Sequence, residues 1–254
     1  MELFVEENSV VRKIWGKSDT VLFIFAGASA EFALNKAVDW LYFTGKLPSD
    51  PLGRLFSTVG YARKIVFSPM EEAHKAIDAM RNIHSVVEQN RGATIPDWAY
   101  RDVLYMLIHY SIASYELLEK KLTNEEKEEV YNVFYRVGIR MGISDLPPTY
   151  IKWLPVRESH LIENLKASKY TFDLFKQYKK HLGLLRYEFL IEAQKLVVPK
   201  RVKKLLYLND FSLLTIAVPI YKISKQMKLE SLFKNIVLPS DYKVQINKLD
   251  LHPQ

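Results

Sequence analysis

The stretch SPMEEAHKAIDAMRNIHSVV, residues 68–87, contains the helical pattern that decides the fold. It begins with Ser68 and Pro69 before two acidic residues, which is typical of the start of a helix. The apolar positions then recur every three or four residues, the spacing of one face of an amphipathic helix. We therefore predict a helix over residues 70–90. Its inner face carries Ala73, Ile77, Met80, His84 and Val87.

The segments on both sides of this stretch show the same period, and strand signals are scarce. Prolines and glycines fall mostly between the periodic segments, and Thr123 before Glu125 and Glu126 indicates a capped helix start. The chain is therefore predicted to be all-α. We expect a single multi-helix bundle over residues 1–254, with its core at about 20–236 and a loosely packed tail at 240–254. The predicted helices cover residues 20–44, 51–66, 70–90, 98–121, 124–142, 157–180, 183–196 and 208–228.

Composition excludes several classes of site. The 254 residues are 48% hydrophobic, which is too apolar for a disordered chain. Without any cysteine, the chain has no disulfide, no thiolate-bound metal and no thiol nucleophile. No glycine-rich nucleotide loop, HExxH motif or GxSxG elbow is present. The segment from Glu71 to His74 is a single ExxH motif, whereas a ferritin-like di-iron site needs a second copy.

The ends of the chain and its charge suggest where the protein acts. The N-terminus is acidic and the longest apolar run, Val21 to Ala30, is too short to span a bilayer, so we expect a cytoplasmic protein. The net charge is +7, with the surplus in residues 151–254. No nucleic-acid fold signature accompanies it, and no nucleic acid is expected as a partner. Two interpretations stay open, a solvated surface or a peripheral membrane contact. The contact would use Lys195, Lys200, Arg201, Lys203 and Lys204.

Histidine is the residue type in this sequence that best suits a ligand-binding site. His84 lies on an apolar stripe, where an imidazole is either satisfied by a backbone carbonyl or bound to a ligand. His109 lies on an otherwise apolar helix and is the alternative ligand. Upstream, Arg54 and Thr58 share a helix face that is not the core stripe of that helix. Such a face binds a ligand or faces solvent, and the spacing does not choose between the two.

Five motifs together resemble a known family, although each motif alone is weak. In order and spacing they are similar to the catalytic domain shared by the fungal endoplasmic-reticulum oxygenase MpaB and the bacterial rubber oxygenases. The resemblance covers roughly residues 20–210. The motifs are the Ala-Gly helix at 25–28, the D-P-x-x-R-x-x-x-T segment at 50–58, Asn82-Ile83-His84, the segment at 102–106, and Met141-Gly142-Ile143 before Pro147.

This resemblance implies an all-helical domain that encloses haem b, with His84 as the axial ligand of the iron. Arg54 and Thr58 would be catalytic and cofactor-binding residues of the same pocket. Arg54 would either stabilise charge on bound oxygen or hold a haem propionate. Two departures are visible: Ser57 stands where rubber oxygenases have a lysine, and the Gln-x-x-His-Pro segment of many relatives is missing at 34–38. The family's catalytic glutamate has no clear counterpart; Glu31 is the only glutamate between Glu7 and Glu71.

The function implied by the resemblance is a haem b-dependent oxygenase. It would use O2 on a hydrophobic, alkene-bearing substrate of isoprenoid type and cleave the carbon–carbon double bond. The alternatives are a non-catalytic haem sensor or carrier, which keeps His84 but needs no substrate channel, and a haem-free interaction protein that docks on acidic partners through its basic half.

Overall fold

The computed structural model describes residues 2–45 and 49–226, and within these residues the chain is a bundle of helices without a strand. Only two isolated bridges occur there, Leu3 with Pro69 and Asn35 with Leu165. The all-α prediction is therefore confirmed. The helices are α1 (Val10–Trp15), α2 (Ser18–Leu34), α3 (Val38–Phe43), α4 (Pro51–Phe67), α5 (Met70–Arg91), α6 (Asp97–Leu118), α7 (Asn124–Met141), α8 (Tyr150–Glu163), α9 (Lys169–Val197), α10 (Lys200–Leu205) and α11 (Leu214–Gln226).

Helix α2 is the central element of the bundle and packs along α6 and α9. Its sequence is apolar on nearly every side, which is the composition of a helix buried all round. Gly27 permits the close approach to α6, because a Cβ atom at this position would lie 2.2 Å from the Tyr110 ring. The glycine of the Ala-Gly motif thus has a packing role at the centre of the fold.

Several helix ends follow the capping signals of the sequence. Asp50 accepts the N–H of Gly53 at 2.8 Å and starts α4. Thr123 and Glu126 form a reciprocal capping box at the start of α7. Helix α7 then ends at Gly142, which adopts the left-handed conformation with φ 80°. These ends are local events, so a single sequence predicts them.

Other predicted boundaries are wrong because side chains or tertiary packing override the local signal. The helix predicted over 20–44 is broken at Asn35, whose side chain accepts the N–H of Ala37 at 2.8 Å and thereby replaces a helical bond. Pro155 lies inside α8, which begins earlier because Thr149 caps it. Pro219 lies inside α11. Gly183, with φ 73°, kinks α9 where two separate helices were predicted.

Two expectations concern the periphery of the fold. The predicted tail at 240–254 lies outside the described residues. Within the described ranges, none of the helices has both the length and the apolar content that crossing a membrane requires. The single-domain division of the chain stays a prediction.

Candidate functional site

His84 lies in the second half of α5, and its surroundings differ from those of the first half. Ala73 and Ile77 of the predicted stripe are fully buried, whereas Met80 and His84 are only half-buried. The His84 ring packs edge-on against Tyr100 of α6, with 5.2 Å between ring centroids. The stripe therefore faces the bundle as predicted, but its side chains become more exposed to solvent towards His84.

Contacts at the end of α5 hold this region in place. Glu88 accepts hydrogen bonds from the Ile95 N–H at 2.8 Å and from the Tyr100 hydroxyl at 3.2 Å. Burial, assisted by the Glu88 carboxylate, raises the pKa of Tyr100 well above its usual range, so its hydroxyl stays protonated as the donor. Arg91 pairs with Asp39 at 2.7 Å and connects α5 to α3. His84 therefore sits on a fixed helix rather than on a loop.

Two apolar side chains that adjoin His84 in the chain are open to solvent. Ile83 is 43% exposed and Val86 is 53% exposed, although both belong to a helix that packs against α4 and α7. Residues one or two positions apart on a helix do not face each other, so these two side chains lie on other sides of α5 than His84. Around the kink of α9, Leu184 and Leu185 are exposed as well.

Arg54 and Thr58 lie on α4, the helix that packs along α5. Val59, Ala62 and Val66 are buried, which confirms the described part of the predicted core stripe. Thr58, one position before Val59, is half-buried. The side chain of Arg54 lies outside what the structure describes. The shared pocket of Arg54, Thr58 and His84 stays a prediction.

His109, the alternative ligand, is half-buried, and its ring makes contacts within the bundle. Its ring makes a hydrogen bond with the backbone of Val197 and packs edge-on against Tyr110 at 5.0 Å. Burial, together with the nearby Arg157 cation, lowers the pKa of His109 to about 4. The imidazole is therefore neutral at physiological pH, and its polar edge is used within the bundle.

A buried ion pair beside His109 was not predicted from the sequence. Glu31 of α2 is fully buried and contacts the Arg157 guanidinium of α8 at 2.5 Å. The same carboxylate oxygen accepts the Tyr110 hydroxyl at 2.8 Å. Burial lowers the pKa of Arg157, but the Glu31 carboxylate raises it by more, so the guanidinium stays charged. Three helices are thus joined by one charged contact.

A second polar contact lies on the same side of α6. The buried Asp102 carboxylate contacts Nδ1 of His160 at 2.5 Å and accepts hydrogen bonds from Asn35 at 2.7 Å and Asn164 at 3.0 Å. The Tyr105 ring lies between the two polar contacts, 5.1 Å from the His160 ring, and burial raises its pKa to about 12. The polar interior thus extends along α2, α6 and α8.

Some buried donors and acceptors in this polar interior make no hydrogen bond. In the described part of the chain, several buried polar atoms near the two contacts have no hydrogen-bond partner, and buried water satisfies such atoms in folded proteins. The interior is therefore suited to hold water. The atoms are Glu31 Oε1, Tyr105 Oη, Trp153 Nε1, Arg157 Nε and Gln194 Oε1.

A sequence signal for this interior exists but is faint. Asp102, Tyr105 and His109 recur at helical spacing on α6, and Trp153, Arg157 and His160 do so on α8. Each set alone is indistinguishable from a polar surface face. Glu31 carried one further hint, because it directly follows the longest apolar run.

The two histidine regions differ in what they can hold. The described residues contain no cluster of three His, Asp or Glu side chains that would bind a bare metal ion. Haem instead brings four ring nitrogens of its own and needs one axial side chain from the protein.

A protein-family model matches most of the chain. The model described as "ER-bound oxygenase mpaB/B'/Rubber oxygenase, catalytic domain" matches residues 13–208 of the 254. No individual curated protein and no solved structure matches the chain.

Proposed function

The chain belongs to the family of the ER-bound oxygenase mpaB and rubber oxygenase catalytic domains, and from this premise we propose that it is a haem b-dependent oxygenase. One observation carries the proposal. His84 is a half-buried imidazole on α5, on the same helix face as the buried Ala73 and Ile77.

The surroundings of His84 fit a haem. A porphyrin buries a large apolar area, so its site needs apolar side chains that the folded protein leaves uncovered. Met80 and Val87 share the helix face of His84 and are half-buried. They would supply apolar contacts to a haem bound there.

His109 and His160 each make a polar contact inside the bundle. His109 bonds to the backbone of Val197, and His160 contacts Asp102 at 2.5 Å. A ligand role for either one would break its contact inside the polar interior, where an unsatisfied buried group is costly.

Arg54 and Thr58 would form the opposite wall from α4. A guanidinium at position 54 suits a carboxylate, such as a haem propionate, or negative charge on bound oxygen. A hydroxyl at position 58 suits a hydrogen bond to a bound ligand. Since Ser57 precedes Thr58, no lysine from this position competes for the iron.

The proposed reaction is oxidative cleavage of a carbon–carbon double bond in a hydrophobic, isoprenoid-type substrate. The haem iron supplies the site at which O2 binds and is activated. One alkene and one O2 give two carbonyl compounds, so the reaction needs no external reductant. The protein would orient the alkene and exclude water.

The first test is the colour of the protein after expression with a haem precursor. We expect a Soret band in the full chain and its loss in His84→Ala. His84→Gly should regain the band when imidazole is added, because free imidazole replaces the missing ligand. His74→Ala is the matched control, since His74 lies on the same helix, against Phe4 at 6.0 Å, and should keep the band. Loss of haem in His109→Ala alone would assign the ligand to α6 instead.

The second test separates an oxygenase from a carrier. Haem-loaded protein is mixed with a short polyisoprene or squalene, and O2 uptake and carbonyl products are measured with ¹⁸O2. We expect one labelled oxygen in each carbonyl fragment. Haem binding without O2 uptake would identify a haem sensor or carrier, and absence of haem in every preparation would contradict the proposal.

A further inference from the structure

Helix α11 presents two apolar faces, whereas a surface helix of a globular protein needs only one. Leu214, Val218 and Tyr221 face the bundle, and the Tyr221 hydroxyl donates to Asp19 of α2 at 3.0 Å. The opposite side carries Leu213, Ile216 and Ile220, which are 65%, 65% and 57% exposed. Their spacing places them along one outer stripe of the helix.

The turn before α11 adds two aromatic side chains to this apolar surface. Tyr207 is 90% exposed and Phe211 is 60% exposed. Tyr207 also adopts the left-handed backbone conformation, with φ 54°, which is unfavourable for a bulky side chain. No packing of the ring within the described residues offsets that cost. We call Tyr207, Phe211, Leu213, Ile216 and Ile220 the outer face.

Positive charge accompanies the outer face. Lys200 and Lys204 of α10 are exposed, and Arg201 is half-buried. Asp210 is the one acidic residue between positions 193 and 226, and it pairs with Lys203 at 3.1 Å. That ion pair links α10 to the turn that carries Phe211. Lys195 is mostly buried against Glu192 at 2.5 Å and has no part in this surface.

We propose that the outer face, with Lys200, Arg201 and Lys204 beside it, docks on an anionic lipid surface. Exposed aliphatic side chains, interfacial tyrosine and flanking lysines are the combination that membrane-surface helices use. Charge favours lipid over a second copy of the chain, because a self-complementary contact would bring two cationic flanks together. The outer face and its cationic flank share no residue with the proposed haem site.

Vesicle sedimentation tests this contact with the full chain. We expect the protein to sediment with vesicles of phosphatidylcholine and phosphatidylserine at low salt, and to stay in solution with phosphatidylcholine alone. Binding should weaken as salt is raised, because exposed charges are screened over about 10 Å at 0.1 M. No sedimentation with anionic vesicles at low salt would overturn the proposal.

Matched variants separate the outer face from unspecific adhesion. Lys200→Gln with Lys204→Gln should weaken binding about 30-fold, since each lysine near an anionic surface contributes about 1 kcal/mol, or about fivefold. Lys176→Gln with Lys180→Gln makes the same charge change at exposed positions of α9 and should have no comparable effect. Equal losses from both pairs would show that only net charge matters and would overturn the assignment to this face.

The apolar half of the contact has its own control. Ile216→Ser should weaken binding by at least about tenfold, because it removes a side chain that would enter the lipid. Ile162→Ser changes an equally exposed isoleucine, 63% accessible, on α8 and should leave binding unchanged. A fold check by circular dichroism accompanies both variants, and loss of binding in Ile162→Ser would argue against the outer face.

Absence of native cysteine makes the site of contact directly measurable. A single cysteine introduced as Ile220→Cys and labelled with an environment-sensitive dye should shift to an apolar emission only when anionic vesicles are added. The same dye on Ile139→Cys of α7 should not respond. The dye could also show an apolar emission without vesicles, and either form of that result would overturn the proposal. If this emission depends on protein concentration, the outer face contacts a second copy of the chain. If it does not, the outer face contacts another part of the same chain.

Discussion

His109 and His84 are two histidines on apolar helix faces, and their side chains make different contacts. His109 is half-buried, bonded to the backbone of Val197 and held neutral, with a pKa of about 4. His84 is half-buried as well and packs against the Tyr100 ring at 5.2 Å. A pattern of apolar spacing does not distinguish the two positions.

The difference lies in the contacts of the two side chains, because both are half-buried. The tight packing of Gly27 in α2 against Tyr110 of α6 lies beside His109. We therefore expect the region of His109 to contribute more to stability than the region of His84. Four predictions test this difference between the two regions, in order of decreasing effect on the free energy of unfolding.

Arg157→Met should have the largest effect. It leaves the buried Glu31 carboxylate without its cation, which costs about 3–5 kcal/mol of unfolding free energy. Urea denaturation followed by circular dichroism measures the loss. The control is Arg140→Met, since Arg140 pairs with the half-exposed Asp78 and an exposed pair contributes about 1 kcal/mol or less. Similar losses of unfolding free energy in both variants would show that the Glu31–Arg157 pair is not shielded from solvent.

Acid should destabilise the region of His109. Burial lowers its folded-state pKa to about 4, below the ordinary value of 6.5. The unfolded chain therefore binds the proton more readily, and the stability present above pH 6.5 is lost as the pH falls towards 4. Between pH 7 and pH 4 the loss from this group is about 3 kcal/mol. His109→Gln should reduce the acid loss by that amount, and an unchanged pH profile would argue against the lowered pKa.

Gly27→Ala tests the close contact between α2 and α6. The added methyl group would lie 2.2 Å from the Tyr110 ring, and such overpacking costs about 1–3 kcal/mol. Gly60→Ala is the control, because Gly60 lies in α4 with no atom within 4 Å of the added group. That change should stabilise the helix by about 1 kcal/mol. Thermal unfolding of both variants should therefore shift in opposite directions.

His84→Ala should have the smallest effect on the fold and the largest effect on haem. Without cofactor, loss of a half-buried ring against Tyr100 costs about 1 kcal/mol. Unfolding of the haem-free protein in urea measures it. A loss comparable to that of Arg157→Met would show that His84 is a structural core residue, and would remove the contrast between the two regions.

The sequence predicts most of the helices and part of the candidate site, for local reasons. Periodic apolar positions identify α5 and the direction of His84, and Thr123 with Glu126 identifies the start of α7. The break after Leu34 escaped prediction because Asn35 bonds to Asp102, 67 residues away in the chain. Helix α8 begins before Pro155 because Thr149 caps it, a local signal that the predicted start at residue 157 missed.

The sequence by itself determined the helical class, the positions of the apolar stripes, the family pattern and the uneven charge. Each of these depends on residues within a few turns of one another. Only the tertiary structure decided which polar groups meet, as Glu31 and Arg157 do across 126 positions. It also decided which apolar surfaces stay open, next to His84 and on the outer face. The physical reason is that a helix's own period specifies which side faces inward, but contacts between helices depend on how those helices rotate and pack against each other.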